Sequence, residues 1–186
     1  MPLPTPRLLV AGALTAVLAA ALAPHAAQAG PSAPQVPADI APPAGHKPYL
    51  VGHADGVQTY TCLTVAGGHA WGPGRPTADL RDGSGKVIIR HFAGPSWQAN
   101  DGSTVIGSRV DGETVDPTAL PWLLLSARPA TPAAEGDRLT GTTYIQRVAT
   151  TSGLPPAAGL CSAATAGAAV DVPYTADYVF WKAQSA

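Results

Sequence analysis

Charge is scarce in this sequence. Only 12% of the 186 residues are Asp, Glu, Lys or Arg, and the 11 basic side chains nearly balance the 12 acidic ones. The basic residues form no cluster of the kind that holds nucleic acid or an anionic lipid surface. We therefore expect neither nucleic acid nor a charged membrane surface among the partners.

Signatures of catalysis and of cofactor binding are also missing. The sequence has no G-x-G-x-x-G dinucleotide motif, no H-E-x-x-H zinc motif and no G-x-S-x-G nucleophile elbow. A phosphate loop is excluded because Val87 follows Gly85-Lys86, where Ser or Thr is required. No cofactor and no metal site are predicted, since the spacing of the histidines after residue 30 matches no compact ligand pattern: His46, His53, His69 and His91.

Only one long apolar run is present, and it lies near the N-terminus. Arg7 precedes the run, residues 8–23 form it, and the small-residue sequence Ala27-Gln28-Ala29 follows. This order is typical of a secretory signal peptide over residues 1–29, with the mature chain beginning at Gly30. A retained membrane anchor is the alternative, but the run is shorter than the about 20 residues that span a bilayer. We expect a secreted or cell-surface protein with no membrane span after processing.

Cysteine is limited to two residues, Cys62 and Cys161, and both lie in the predicted mature chain. An even number of cysteines in an exported protein favours a disulfide over metal binding or thiol catalysis. A bond between them would close most of the domain into one loop. Two buried free thiols are the alternative.

The mature chain divides into two parts by composition. Residues 30–48 are rich in Pro and Ala and have almost no periodic apolar pattern. This composition predicts a disordered, extended linker. The folded unit is then a single domain over residues 49–186, a length sufficient for one hydrophobic core.

Short runs of β-branched and aromatic residues alternate with turn residues throughout that domain. The turn sequence Asp82-Gly83-Ser84-Gly85, for example, divides two such runs as a hairpin would. Because no window of helical length outside the signal has a convincing 3.6-residue period, the chain is predicted to be all-β, an antiparallel sandwich or barrel. Strands are predicted at residues 56–65, 78–81, 86–92, 103–110, 122–127, 140–149 and 170–181.

The densest group of chemically versatile side chains lies between residues 91 and 103. His91 is a candidate base or metal ligand, Asp101 a candidate for orienting its ring, and Trp97 a candidate wall for a bound molecule. The alternative is structural, because Gly94-Pro95 and Asp101-Gly102 are turn sequences and a tryptophan can belong to the core.

A second polar pair, Gln146 and Arg147, interrupts a β-branched run. A guanidinium group in such a strand must face solvent, pair with an acid or line a pocket. In the last case Arg147 would be an anion-facing donor near His91, and Gln146 a further ligand contact. Exposure to solvent, or a purely structural pairing, is the alternative.

An ordered series of motifs runs through the predicted domain. It consists of Gly56-Val57-Gln58, Cys62, His91-x-Ala93-Gly94-Pro95-x-Trp97, Asp101-Gly102-Ser103, Pro121-Trp122, Ile145-Gln146-Arg147, Cys161 and Val172-Pro173-Tyr174. In this order the sequence resembles the bacterial branch of domain-of-unknown-function family 3455 from about residue 49 to residue 181. The resemblance implies an exported domain with a paired cysteine, and it implies no established reaction.

Three functions are compatible with these observations. The first is an extracytoplasmic binding or surface-interaction module for a small molecule or glycan. The second is an extracytoplasmic enzyme, a hydrolase or a metal-assisted catalyst, centred on His91 and Asp101. The third is a purely structural envelope protein. Convergence of His91, Trp97, Asp101, Gln146 and Arg147 in one pocket would favour the enzyme, and scatter would favour the other two.

Overall fold

The computed structural model describes Met1 and residues 30–130 and 136–184. Apart from Met1, the predicted signal peptide lies outside these residues. The described residues form nine strands and three short 3₁₀ turns, so the all-β prediction is confirmed. None of them belongs to a helix long and apolar enough to cross a membrane.

Seven of the nine strands overlap the seven predicted ones. The two additional strands, β2 and β5, are four residues long, and the 3₁₀ turns cover Ala38–Ile40, Ala158–Leu160 and Ala163–Thr165. The strands are β1 (His46–Val65), β2 (Gly68–Trp71), β3 (Arg75–Arg81), β4 (Val87–Phe92), β5 (Ser96–Ala99), β6 (Thr104–Glu113), β7 (Trp122–Pro129), β8 (Tyr144–Ser152) and β9 (Ala169–Ala183).

The strands close into a barrel. Every neighbouring pair is antiparallel, and the long strand β1 pairs with β3 along one edge and with β9 along the other. At Gly56, for example, the partners are Ala78 of β3 and Tyr174 of β9. Eight strands therefore form a ring, and β2 extends the far end of β1 as a hairpin. A barrel of this size has an interior that side chains can fill, or that can hold one small ligand.

Side chains alternate between the interior and the outer wall along each strand, because the strand period is two. Leu80 faces Ile89 across β3 and β4, and Ile145 faces Phe180 across β8 and β9. These four side chains are fully buried and belong to the interior cluster. The interior is therefore densely filled at this level of the barrel.

The hairpin predicted between β3 and β4 is present. The Asp82 carboxylate accepts hydrogen bonds from the backbone N–H groups of Ser84 and Lys86 and from the Ser84 hydroxyl. Gly85 adopts a φ of +83°, which a side chain would disfavour. The turn sequence therefore fixes the connection between these strands.

Part of the segment predicted to be a linker is ordered against the barrel wall. Strand β1 already begins at His46, and the Ile40 side chain is fully buried. The carbonyl oxygen of Ile40 accepts a 2.7 Å hydrogen bond from Nε2 of Gln146, whose Oε1 accepts one from Nε1 of Trp181. The order arises because this segment covers apolar side chains on the outer wall, where Val36 packs with Val179 and Trp181.

Shortening the Ile40 side chain should therefore destabilise the protein. Ile40→Val removes one buried methylene group, and we expect the free energy of unfolding to fall by about 1 kcal/mol in urea denaturation. The matched control is Val110→Ala, because the Val110 side chain is 55% exposed and its truncation should cost less than about 0.5 kcal/mol. Equal effects of the two substitutions would show that the segment does not pack on the barrel in solution.

Candidate ligand-binding cavity

A cavity of about 340 Å³ occupies one end of the barrel interior, a size typical of small-molecule sites. It is lined by side chains from the inward faces of the wall, including Gln58 of β1, His91 of β4, Trp97 of β5 and Tyr178 of β9. The rest of the wall is largely apolar: Pro76, Pro95, Leu123 and Leu125. The cavity therefore combines a hydrophobic wall with a few polar groups.

Two glycines make this arrangement of side chains compatible with the backbone. A Cβ atom on Gly107 would lie 2.9 Å from the Trp97 ring, so this ring lies directly over bare backbone. A Cβ atom on Gly74 would lie 2.7 Å from Oε1 of Gln58 at the cavity rim. Any side chain at either position would displace a group that lines the cavity.

The inner end of the cavity is aromatic. His91 and Trp97 are cross-strand partners, and their rings stack in parallel with centroids 4.4 Å apart and an interplanar angle of 5°. The Tyr178 ring lies against both, at 4.9 Å from His91 and 5.5 Å from Trp97. All three side chains are buried, so packing fixes their orientation.

The proton on His91 is positioned by the backbone. Its Nδ1 lies 2.9 Å from the carbonyl oxygen of Ser96, which can only accept, so Nδ1 donates and Nε2 keeps its lone pair. Burial lowers the pKa of His91 to about 4, and the positive charge of Arg147 acts in the same direction, whereas the Ser96 hydrogen bond opposes the shift. His91 is therefore neutral at physiological pH and offers the cavity an acceptor.

Arg147 brings a positive charge into the half-buried part of the cavity. Its Nε and Nη2 atoms donate to the carbonyl oxygen of Pro121 at 3.2 and 2.8 Å, which orients the guanidinium group. Burial raises the pKa of Tyr174 and Tyr178, and the charge of Arg147 opposes both shifts. The guanidinium group has N–H donors beyond those that bind Pro121, and one of them lies close enough to the Tyr178 hydroxyl for a hydrogen bond that also opposes the rise in the pKa of Tyr178.

Two more arginines, Arg75 and Arg109, line the cavity with more exposed side chains. None of the described residues that line it is Asp or Glu. Among residues 30–130 and 136–184, no carboxylate oxygen lies within 4.0 Å of a nitrogen of these two side chains or of Arg147. As far as the described residues go, the cavity is therefore positively charged and has no carboxylate counter-ion.

Hydrogen-bond donors are in excess at the same place. In the described part of the chain, two buried side-chain polar atoms have no hydrogen-bond partner, Nε2 of Gln58 and Nε1 of Trp97. Both are donors in residues that line the cavity, but each nitrogen has less than 1 Å² of accessible surface, so neither is exposed to the cavity space. Gln58 also lies close enough to the Tyr174 hydroxyl for a hydrogen bond that opposes the rise in the pKa of Tyr174 caused by burial. Buried donors of this kind are rare in folded proteins and need an explanation.

In a comparison with known protein families, residues 43–182 match the family described as "Protein of unknown function (DUF3455)". The chain belongs to the DUF3455 family. The matched region includes every residue that lines the cavity. No curated protein and no solved structure matches the chain.

Three of the predicted site residues meet in the cavity of this DUF3455 domain, namely His91, Trp97 and Arg147. Asp101 does not, because it lies in the turn between β5 and β6. This turn is next to the start of β4, whereas His91 is near the end of that strand. Its carboxylate accepts hydrogen bonds from Ser103 and from the backbone N–H of Arg138. These bonds hold the pKa of Asp101 below its usual value even though burial raises it. Asp101 therefore shapes a turn and does not orient His91.

Gln146 is also outside the cavity. It follows Ile145 and precedes Arg147, both of which face the interior, so its own side chain faces the outer wall and binds the N-terminal segment. The expectation of a ligand contact through Gln146 is therefore not supported by its position. Its role is to hold Ile40 and Trp181 in place.

Several cavity residues were not among the sequence candidates: Gln58, Arg75, Arg109 and Tyr178. The sequence did contain a signal for Arg109, because strand alternation places it on the same face as Val105 and Gly107. Arg147 is placed on the same face as Ile145 in the same way. No comparable signal marks Arg75. In the described residues, no three His, Cys, Asp or Glu side chains are grouped as a metal site.

Proposed function

We propose that this domain binds a small organic anion, a carboxylate with a compact apolar body, in the barrel cavity. The observation that carries the proposal is the set of three arginines without a carboxylate in a cavity with apolar walls. Charge-assisted hydrogen bonds from guanidinium groups to a carboxylate are about twice as strong as neutral ones. A bound carboxylate would therefore supply the missing counter-ion.

The polar groups of the cavity fit the same ligand. The guanidinium groups of the three arginines offer donors only, and an anion supplies acceptors only. Nε2 of His91 is an acceptor, so it suits a hydroxyl or amide group on the body of the ligand. The balance of donors over acceptors favours an anion over a cation or a hydrocarbon.

The apolar wall favours an organic anion over an inorganic one. Leu123, Leu125, Pro76 and Pro95 line a large part of the cavity, and phosphate or sulfate would leave these side chains uncovered. A ligand with an aromatic or branched body would cover them, and each Å² of apolar surface removed from water contributes about 25 cal/mol.

An enzyme that uses His91 as a base is the second candidate. It is favoured by the unprotonated Nε2 atom, which the Ser96 hydrogen bond fixes in a cavity large enough for a substrate. Against it, a base with a pKa of about 4 accepts a proton weakly at neutral pH, where general bases work best with a pKa near the ambient value. Asp101 does not contact the ring and so does not compensate. Binding is therefore the function that the geometry supports better.

Isothermal titration calorimetry with matched ligands tests the proposal. We expect benzoate and 4-hydroxybenzoate to bind at least about tenfold more tightly than benzamide, since hydrogen bonds to charged groups are worth about 1.5–3 kcal/mol. Affinity for the anions should fall as salt is added. Equal binding of benzoate and benzamide would contradict the charge argument, and slow consumption of either ligand would favour the enzyme.

Substitution of Arg147 by Gln should lower the affinity for benzoate by about 10- to 100-fold, because the half-buried guanidinium group is lost. The matched control is Arg90→Gln. Arg90 precedes His91 on β4, but its side chain is 76% exposed and lies near Asp79 on the outer wall. The control should bind benzoate as the unmodified protein does. If both variants lose affinity equally, the effect comes from net charge and the cavity is not the site.

A further inference from the structure

A second hollow of about 410 Å³ lies beside the cavity, on the outer surface of the barrel. We call it the outer groove, and its own lining residues are Thr59, Thr61, Thr77 and Phe92. It shares Arg75, Pro76 and Ala93 with the cavity. The two hollows therefore meet at a common rim on β3 and at the end of β4.

The strand register explains how one residue reaches both sides of the wall. Arg75 pairs with Thr59, whose side chain lines the outer groove, whereas the next residue, Pro76, pairs with the inward-facing Gln58. Arg75 nevertheless lines the cavity too, so its long side chain crosses the rim. A molecule bound in the cavity can extend along this side chain into the outer groove.

The chemistry of the outer groove differs from that of the cavity. Three threonines line it together with Phe92, whose side chain is 40% exposed; the Thr61 and Thr77 hydroxyl groups can each donate and accept a hydrogen bond. Phe92 and Thr77 are direct cross-strand partners, so the ring and a hydroxyl group lie side by side. The Thr59 hydroxyl donates to the carboxylate of Asp171 at 2.6 Å, which places a negative charge next to the groove.

We propose that the outer groove is a second subsite, which takes a neutral sugar unit linked to the anion held in the cavity. This rests on the proposed function of the cavity. A sugar ring presents C–H groups on its face, which suit the Phe92 ring, and hydroxyl groups on its edge, which suit the threonines. The carboxylate of Asp171 beside the groove offsets the positive charge of Arg75 at its rim, so a neutral sugar suits the groove. The ligand class is thus a glycoside of a small carboxylic acid.

Two probes that differ by one sugar unit test this inference in calorimetry. They are 4-hydroxybenzoate and its 4-O-β-D-glucoside, and 4-methoxybenzoate is the control for the phenolic O–H group that the sugar replaces. We expect the glucoside to bind about tenfold more tightly than the free acid, an advantage of the size that one aromatic contact and a hydrogen bond provide. Phe92→Ala should abolish this advantage and leave the affinity for 4-hydroxybenzoate unchanged. The control Val115→Ala, at an exposed side chain outside both hollows, should keep it.

The outcomes separate this inference from the proposed function. If 4-hydroxybenzoate binds and the glucoside binds no more tightly, the outer groove is not a sugar subsite, while the anion site stands. If the glucoside is preferred but Phe92→Ala keeps the preference, the groove is again excluded. If neither probe binds, both the subsite and the carboxylate site are wrong.

Discussion

Removing the disulfide between Cys62 and Cys161 should lower the free energy of unfolding by about 2–5 kcal/mol. The two sulfur atoms are bonded in the structure, the Cα atoms lie 5.3 Å apart, and the bond joins residues 99 positions apart. In the chain-entropy description, a bond that closes so long a loop restricts the unfolded chain strongly. Since small domains are stable by only about 5–15 kcal/mol, the loss would remove a large fraction of the total.

The local surroundings indicate that the folded state changes little when the bond is removed. Backbone hydrogen bonds already join Cys62 to Ala168 and Gly167, which holds the connection between β8 and β9 against β1. The double variant Cys62→Ala/Cys161→Ala should therefore keep the native circular dichroism spectrum and unfold at a lower urea concentration. Unmodified protein treated with a reductant is the control, and it should unfold at the same urea concentration as the variant. A loss smaller than about 1 kcal/mol in both would show that the bond is not a main source of stability.

Much of the fold follows from local sequence patterns. Alternation in residues 56–65 predicts that Gln58, Tyr60 and Cys62 share one face, and in the structure all three are buried on the same side of β1. The turn at Asp82 and Gly85 likewise predicts the β3–β4 hairpin. Strand β5 was missed because its four residues lie between two turn sequences and are too few to show a period. Closure of the barrel depends on the pairing of β1 with β9, which no local pattern records.

The candidate site is predictable only in part, for the same reason. His91 and Trp97 are six positions apart and meet because a tight turn makes them cross-strand partners. Arg147 joins them because three further pairings bring β8 to the same end of the interior. Asp101, although close to Trp97 in sequence, lies past the end of β5 and contacts other residues. Two residues that are close in the sequence can therefore lie in different places in the fold when a strand ends between them.

Acidification from pH 6.5 to about pH 4 should destabilise the protein by about 3 kcal/mol through His91 alone. Burial lowers the pKa of His91 to about 4 in the folded protein, against an ordinary value of 6.5 in the unfolded chain. Below pH 6.5 the unfolded chain binds a proton that the folded protein does not, so unfolding is favoured as the pH falls. At 1.36 kcal/mol per pKa unit, the shift corresponds to about 3 kcal/mol, and above pH 6.5 the penalty vanishes.

Urea denaturation at several pH values measures this dependence, and His91→Gln should flatten it between pH 6.5 and pH 4. The matched control is His53→Gln, because the His53 side chain is exposed on the outer wall beside Asp177. This substitution should leave most of the pH dependence of the free energy of unfolding unchanged. Asp82 and Asp116, whose pKa values are lowered by hydrogen bonds from Ser84 and Thr118, contribute only at lower pH. Should His91→Gln fail to fold, NMR titration of the unmodified protein decides instead. A His91 ring that titrates near pH 6.5 would mean that it is hydrated, and the cavity would then be an open, water-filled cleft in which His91 becomes protonated as the pH falls below 6.5.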